Sequence, residues 1–297
     1  VLKRMQCLLF DWHNYGKPTI GARSDIENVK IENLQAFYHR YYQPDNAVLT
    51  VSGKFDQAAL LPKIERIFGA IPKPERVLPG EWTVEPVSDG ERFFTVRRPG
   101  EAKLVAIGYR VPAASHPDFR KTDLAVSILT DSPTGRLYKA LVDTGLAGKV
   151  FGFAIPGKDP GFVFIGAQLK KDGDEKKVLE VMEDVLENDF RRKPVTAEEL
   201  STEIEENRTG YERMLSDPEE FGVELSEYIG MGDWRLFFID RDALDGLTGE
   251  QISEAASRYF VRDNRVVGMF LPEAHPKRAE IPAAESLADQ VAHHHFK

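Results

Sequence analysis

Hydrophobic residues recur at two periods along this chain, and the change from one to the other marks out its elements. Ile31, Leu34, Phe37 and Tyr41 keep three- and four-residue spacing, and an apolar run from Ala47 to Val51 follows at once. The first spacing places side chains on one face of a helix, and alternation places them on one face of a strand. The pattern therefore predicts a helix over 31–42 and a strand over 47–53, with Ala47, Leu49 and Val51 on one side of it. The same order returns later, with Ile252, Ala255, Ala256 and Tyr259 as the helical stripe and Val266 to Leu271 as the strand. Between helix and strand, Tyr41-Tyr42-Gln43-Pro44-Asp45-Asn46-Ala47-Val48-Leu49 matches Tyr259-Phe260-Val261-Arg262-Asp263-Asn264-Arg265-Val266-Val267. Asp-Asn pairs end helices because both side chains bond nearby backbone and tolerate left-handed conformations. The chain reads as two related units.

The remaining elements follow from caps and turn residues. The segment 1–30, with Phe10 to Gly16 and Pro18 to Gly21, reads as a short helix and then a loop. Asp56 caps a helix that should end at Gly69, with a kink or late start at Pro62. Strands are predicted over 93–98 and 104–109. A helix capped by Ser115, with Asp118 reaching back, should turn Leu124 and Ile128 inward. A further helix over 135–146 carries Leu137, Leu141 and Val142. Strands 150–155 and 162–169 flank Pro156 to Gly161, which predicts an antiparallel hairpin. Asp174, Thr196 with Glu199, Asp217-Pro218 with Glu220, and Thr248 with Gln251 start four helices. The acidic residues of the first three are assigned to an exposed face. This order defines an α+β fold, in which repeated domains each carry an antiparallel sheet with helices packed mainly on one face.

The proline- and glycine-rich stretch around 71–92 reads as a linker. It separates residues 1–70, the end of a truncated first domain, from a complete second domain over 93–271, and residues 272–297 form a loose tail. If the two units have similar lengths, roughly 125 residues are expected upstream of Val1. The chain then reads as a piece of a longer protein.

Composition narrows the classes of function. Of 297 residues, 42% are hydrophobic and 29% charged, which describes a globular chain rather than a disordered one. A net charge of -9 speaks against nucleic acid as a partner. No apolar run approaches the roughly 18 residues of a membrane span. The single cysteine, Cys7, allows neither an internal disulfide framework nor a cysteine-based zinc site.

Candidate chemistry is sparse. The histidines show no H-x-x-E-H spacing, the arrangement that sets two imidazoles on one helix face around a zinc ion and leaves a glutamate to activate water. His39 and His116 are placed on the surface and in a cap. His13, near Asp11 and Asp25, has the one plausible acid/base setting, and His293 to His295 are read as tail rather than metal site. There is no G-x-S-x-G motif, and Ser132-Pro133-Thr134-Gly135-Arg136 lacks the spacing and lysine of a phosphate loop. From motifs alone there are no catalytic, cofactor-binding or metal residues.

Larger stretches carry a resemblance. Asp11-Trp12-His13-Asn14-Tyr15-Gly16, Thr19-Ile20-Gly21, Asp25 to Val29, Phe37-Tyr38, Tyr41 to Ala47 and Ser52-Gly53-Lys54-Phe55-Asp56 resemble the end of the first domain in the pitrilysin/insulinase family of zinc peptidases. Gly135-Arg136-Leu137-Tyr138-Lys139-Ala140-Leu141 resembles the signature of that family's second, non-catalytic domain. The resemblance implies zinc in a full-length parent, held by an inverted motif and a later glutamate upstream of Trp12. It implies none in this chain, since the equivalent helix around Asp123-Leu124-Ala125-Val126-Ser127 has neither His nor Glu. Unstructured peptides would be the parent's substrates, and its other domains this chain's partners. The alternative is a catalytically silent scaffold or assembly subunit on the same fold. A small-molecule enzyme built on His13 is a third reading.

Overall fold

In the computed structural model, residues 1–170, 172–284 and 286–294 are described. The first ninety residues contribute four helices: α1 (Leu2–Leu9), α2 (Arg23–Asn28), α3 (Ile31–Tyr41) and α4 (Gln57–Phe68). Strands β1 (Arg92–Arg98) and β2 (Leu104–Arg110) follow, then α5 (Pro117–Thr130) and α6 (Arg136–Leu141). The hairpin β3 (Lys149–Ile155) and β4 (Phe162–Gln168) precedes five helices: α7 (Glu175–Arg192), α8 (Ala197–Ser216), α9 (Pro218–Gly230), α10 (Leu236–Ala243) and α11 (Gly249–Tyr259). The chain closes with β5 (Arg265–Pro272) and α12 (Leu287–His293).

The strands form one sheet in the order β1-β5-β2-β4-β3. Every pairing is antiparallel except β1 with β5, where Phe94 stands beside Gly268 and Val96 beside Phe270. The last strand thus enters the middle of the sheet. Val105, Ile107 and Tyr109 of β2 alternate with Ala106 and Gly108 and point to the helical side, where Leu124, Leu129, Val178, Met182, Ile252 and Phe260 complete the main core. Helices α5, α6, α7 and α11 cover this face.

The opposite face is covered by α1, whose Met5 and Leu9, with Phe10, pack on Ala106, Phe162, Phe164 and Val266. Helix and sheet approach closely at Gly108, where a Cβ would lie 2.5 Å from the Met5 sulfur. The missing side chain at Gly108 leaves the space that Met5 and Leu9 fill, and a larger residue would push the Met5 side chain aside. The N-terminal helix, predicted as part of a first unit, therefore shares its buried surface with the second.

Several elements depart from the sequence reading, each for a local reason. Residues 47–53 form no strand; their backbone has no neighbouring strand to pair with, and Val48, Leu49 and Val51 remain exposed. Helix α4 is continuous through Pro62. His116 rather than Ser115 caps α5, its Nδ1 accepting from the Asp118 N–H. The helix predicted over 135–146 stops at Leu141 and gives way to turns before Gly145, which has φ +77°. Helix α10 lacked a start signal, since Arg235 caps it without a side-chain bond. The tail, read as loose, carries α12, and His295 lies outside the described residues. The caps at Asp56, Asp174, Thr196, Asp217 and Thr248 form as their residue types require.

Candidate functional site

The repeated stretch ends a helix in a tight turn in both copies, and only the second copy leads into a strand, β5. Tyr42 N–H donates to the Tyr38 carbonyl, and Phe260 N–H to the Ala256 carbonyl. A short 3-10 turn follows each, Pro44–Asn46 and Arg262–Asn264. Asn46 Nδ2 donates to the Tyr41 carbonyl at 2.9 Å, and Asn264 Nδ2 to the Tyr259 carbonyl at 2.8 Å. Asn264 also donates to the Arg110 carbonyl on β2, a second bond that fixes the joint to the sheet. Side-chain bonding, not left-handed backbone, makes the turn; no non-glycine described residue has positive φ.

His13 is held as a structural group. Its Nδ1 accepts from the Tyr15 N–H at 3.1 Å, and its Nε2 lies 3.4 Å from Asp159. Asp11 turns instead to Arg92, in a two-bond ion pair that keeps its carboxyl below the usual range. No bond joins Asp25 to His13 among the described residues, and Asp25 is exposed. Glu85, from the predicted linker, accepts the backbone N–H groups of Asp11, Trp12 and His13. Burial works to raise its carboxyl, and those three bonds with Arg110 outweigh it, so the net shift is downward. Segment 69–92 is thus irregular in backbone yet tied down at Glu85, and also at Arg76, which makes two bonds to Asp45.

The Gly135-Arg136-Leu137-Tyr138 signature is a clamp. Arg136 bonds both carboxylate oxygens of Glu199, at 2.8 and 2.7 Å, and the carbonyls of Lys193 and Pro194 beyond the end of α7. Its guanidinium also stacks 4.9 Å from the Phe190 ring centroid. Glu199 is at the same time the third residue of the α8 capping box. Only a planar, five-donor group meets all these acceptors. A second buried cation, Arg265, gathers Glu91, Glu183 and Glu187 at 2.9, 3.0 and 2.7 Å, joining β5 to α7 and to the residue before β1.

A polar cavity of about 310 Å3 opens between α5, α8 and α9, lined by Arg120, Asp131, Glu203, Glu206, Tyr211 and Tyr228 among others. Carboxylate oxygens of Asp131, Glu203 and Glu206 all lie within 4.8 Å of one another. Glu203 is 4% exposed; burial, and then the neighbouring Asp131 charge, raise its carboxyl from 4.5 to about 8. On the cavity's other side Arg120 pairs with Asp123 at 2.7 Å and bonds Asn207. The sequence reading placed the acidic residues of these helices on an exposed face, which fails for Glu203. The signal was available: Leu200, Glu203, Asn207, Tyr211 and Met214 form one helical stripe, and its apolar members pack on the core.

Catalytic zinc in peptidases is held by imidazoles together with a carboxylate. The Asp131, Glu203 and Glu206 group offers oxygen alone, the donor set of harder cations, and does not fit it. On α5, Asp123 is engaged by Arg120.

Fold and polar clusters define an α+β module whose signature residues serve architecture. Residues 28–207 match the Peptidase M16 inactive domain. The chain belongs to that family, the pitrilysin-type zinc proteases. It is 24% identical over 273 residues to the zinc protease PqqE of Helicobacter pylori, covering 88% of this chain and 59% of that protein. Among solved structures, the inactive peptidase domain of a Bordetella parapertussis protein described as a zinc protease is 43% identical, with TM-score 0.56, over 63% of this chain and 99% of its own. A Helicobacter pylori protease, 21% identical, shares the fold with TM-score 0.84 over 91% of this chain and 67% of its own. The chain thus spans little more than half the length of its curated relative.

Proposed function

We propose that this chain is the non-catalytic part of a larger zinc endopeptidase, where it walls a chamber that accepts unstructured peptides. Residues 1–70 would be the end of a catalytic-type domain, 71–92 a linker, 93–271 a complete inactive domain and 272–297 a tail. The observation that carries this reading is the uncovered apolar face of residues 31–71. Leu34, Phe37, Leu61, Ile67 and Phe68 are each about half exposed, beside a strand-patterned segment with no strand to pair with. Such a surface has the form of one side of a packed sheet and helix layer. Zinc and the catalytic base belong, on this reading, to the parent.

The test is metal content and peptide cleavage by the purified chain. After dialysis it should hold no stoichiometric zinc and show no chelator-sensitive cleavage of an unstructured peptide. Zinc retained at one equivalent together with such cleavage would overturn the proposal. Extending the chain into the preceding coding sequence separates the two family readings: an H-x-x-E-H segment that restores cleavage supports the peptidase, and its absence supports the silent scaffold.

A further inference from the structure

β1 is the outer strand of the sheet, and no other strand among the described residues pairs with its far edge. The Arg98 carbonyl accepts from the Glu273 N–H, on the β5 side. Alternation along the strand therefore turns the backbone groups of Phe93, Thr95 and Arg97 to the outer side, and all three residues are exposed. The Arg97 carbonyl accepts there from Arg278 at 3.5 Å, so Phe93 and Thr95 carry the stretch of edge that no described residue bonds. Between this edge and the first turn of α1 runs a groove of about 930 Å3, floored by Phe94 and Phe270. Its walls carry Lys3, Arg4, Arg97, Arg98 and Arg278 and no carboxylate side chain. Lys3, Arg4, Arg98 and Arg278 make no ion pair with any described residue, and Arg97 reaches Glu273 only at 3.8 Å. Five cations that share one long ion pair stand out in a chain of net charge -9.

We propose that this groove binds an extended acidic peptide, which adds to the outer edge of β1 as a further strand and lays its carboxylates against the five cations. An exposed strand edge offers N–H donors and C=O acceptors in alternation, and another strand is the ligand that answers both. A nucleic-acid backbone presents acceptors to that edge and leaves its carbonyls unmet. The apolar floor takes the alternate side chains of the added strand, so the favoured sequence alternates acidic and aliphatic residues.

Fluorescence anisotropy with the whole chain tests this, using labelled peptides of alternating Glu and Val or alternating Lys and Val, and a single-stranded oligonucleotide of similar length. The acidic peptide should bind at least about tenfold tighter than the basic one, weaken as salt is raised, and slow alkylation of the groove residue Cys7, which is exposed in the free protein. Thr95→Pro removes an N–H that faces solvent, a change edge strands tolerate, and should abolish binding without altering the thermal melt. Lys3→Glu with Arg4→Glu, both on the exposed side of α1, should weaken acidic-peptide binding at least about tenfold. Absence of acidic-peptide binding, equal binding of both peptides, tighter binding of the oligonucleotide, or unchanged binding in either variant overturns the proposal. None of these measurements involves zinc or cleavage, so they stand apart from the peptidase reading.

Discussion

Asn46 and Asn264 make the same bond to the end of the preceding helix but differ in what surrounds them. The first holds an exposed turn, and the second also secures the Arg110 carbonyl of a central strand. Asn264→Ala should therefore cost about 1–3 kcal/mol, because it strips a partner from partly buried backbone groups. Asn46→Ala should stay within about 0.5 kcal/mol, as exposed substitutions do. Urea unfolding of the two variants checks the contrast, and equal losses would show that the joints carry the same load. The role of each asparagine was legible in the sequence, since Asn bonding to a local carbonyl needs only neighbours. The greater burden on Asn264 was not, because Arg110 is remote in the chain.

At the level of elements, the same separation appears between α3 and α11. Both were read from their apolar stripe, and both form within a residue or two of the predicted bounds. Helix α11 buries Ile252, Ala255 and Ala256, whereas α3 buries none of its residues. Phe260 is fully buried and stacks on Tyr109, 5.1 Å between centroids; its counterpart Tyr42 is 66% exposed. The exposed face of α3 should bind a hydrophobic dye. Leu34→Lys with Phe37→Glu should lower that dye fluorescence at least about twofold while leaving unfolding within about 0.5 kcal/mol of the parent chain. A large loss of stability would mean the face is packed in solution. Segment 47–53 follows the same logic: its alternation is that of a strand, but a strand is completed by hydrogen bonds from a neighbour.

Across the whole molecule, buried charge sets the response to pH. Glu203 is held protonated by burial and by Asp131, its carboxyl raised from 4.5 to about 8. In the unfolded chain it ionises near its ordinary value, so its contribution to stability is complete below about pH 4.5 and is lost as pH rises to about 8. Glu203→Gln keeps the shape without the ionisation and should flatten the fall in urea-unfolding midpoint between pH 5 and pH 8. The variant should gain most at the alkaline end. Identical pH slopes for the two proteins would place Glu203 in a more polar setting than the cavity between α5, α8 and α9 suggests.

The sequence alone determined what depends on near neighbours: helix stripes, the caps at Asp174, Thr196, Asp217 and Thr248, the hairpin around Pro156 to Gly161, and the twofold recurrence of the joint. Each rests on bonds between residues a few positions apart, whose geometry the residue types dictate. Tertiary structure alone decided which copy of the joint becomes a buried strand, that α1 covers the sheet of residues 92–272, and that Arg136 clamps the junction of α7 and α8. It also decided that Glu203 lies buried beside Asp131 and that His13, Asp11 and Asp25 part company. Those outcomes turn on which distant surfaces meet, and neither burial nor the pairing of charges is a property of a residue's own stretch of chain.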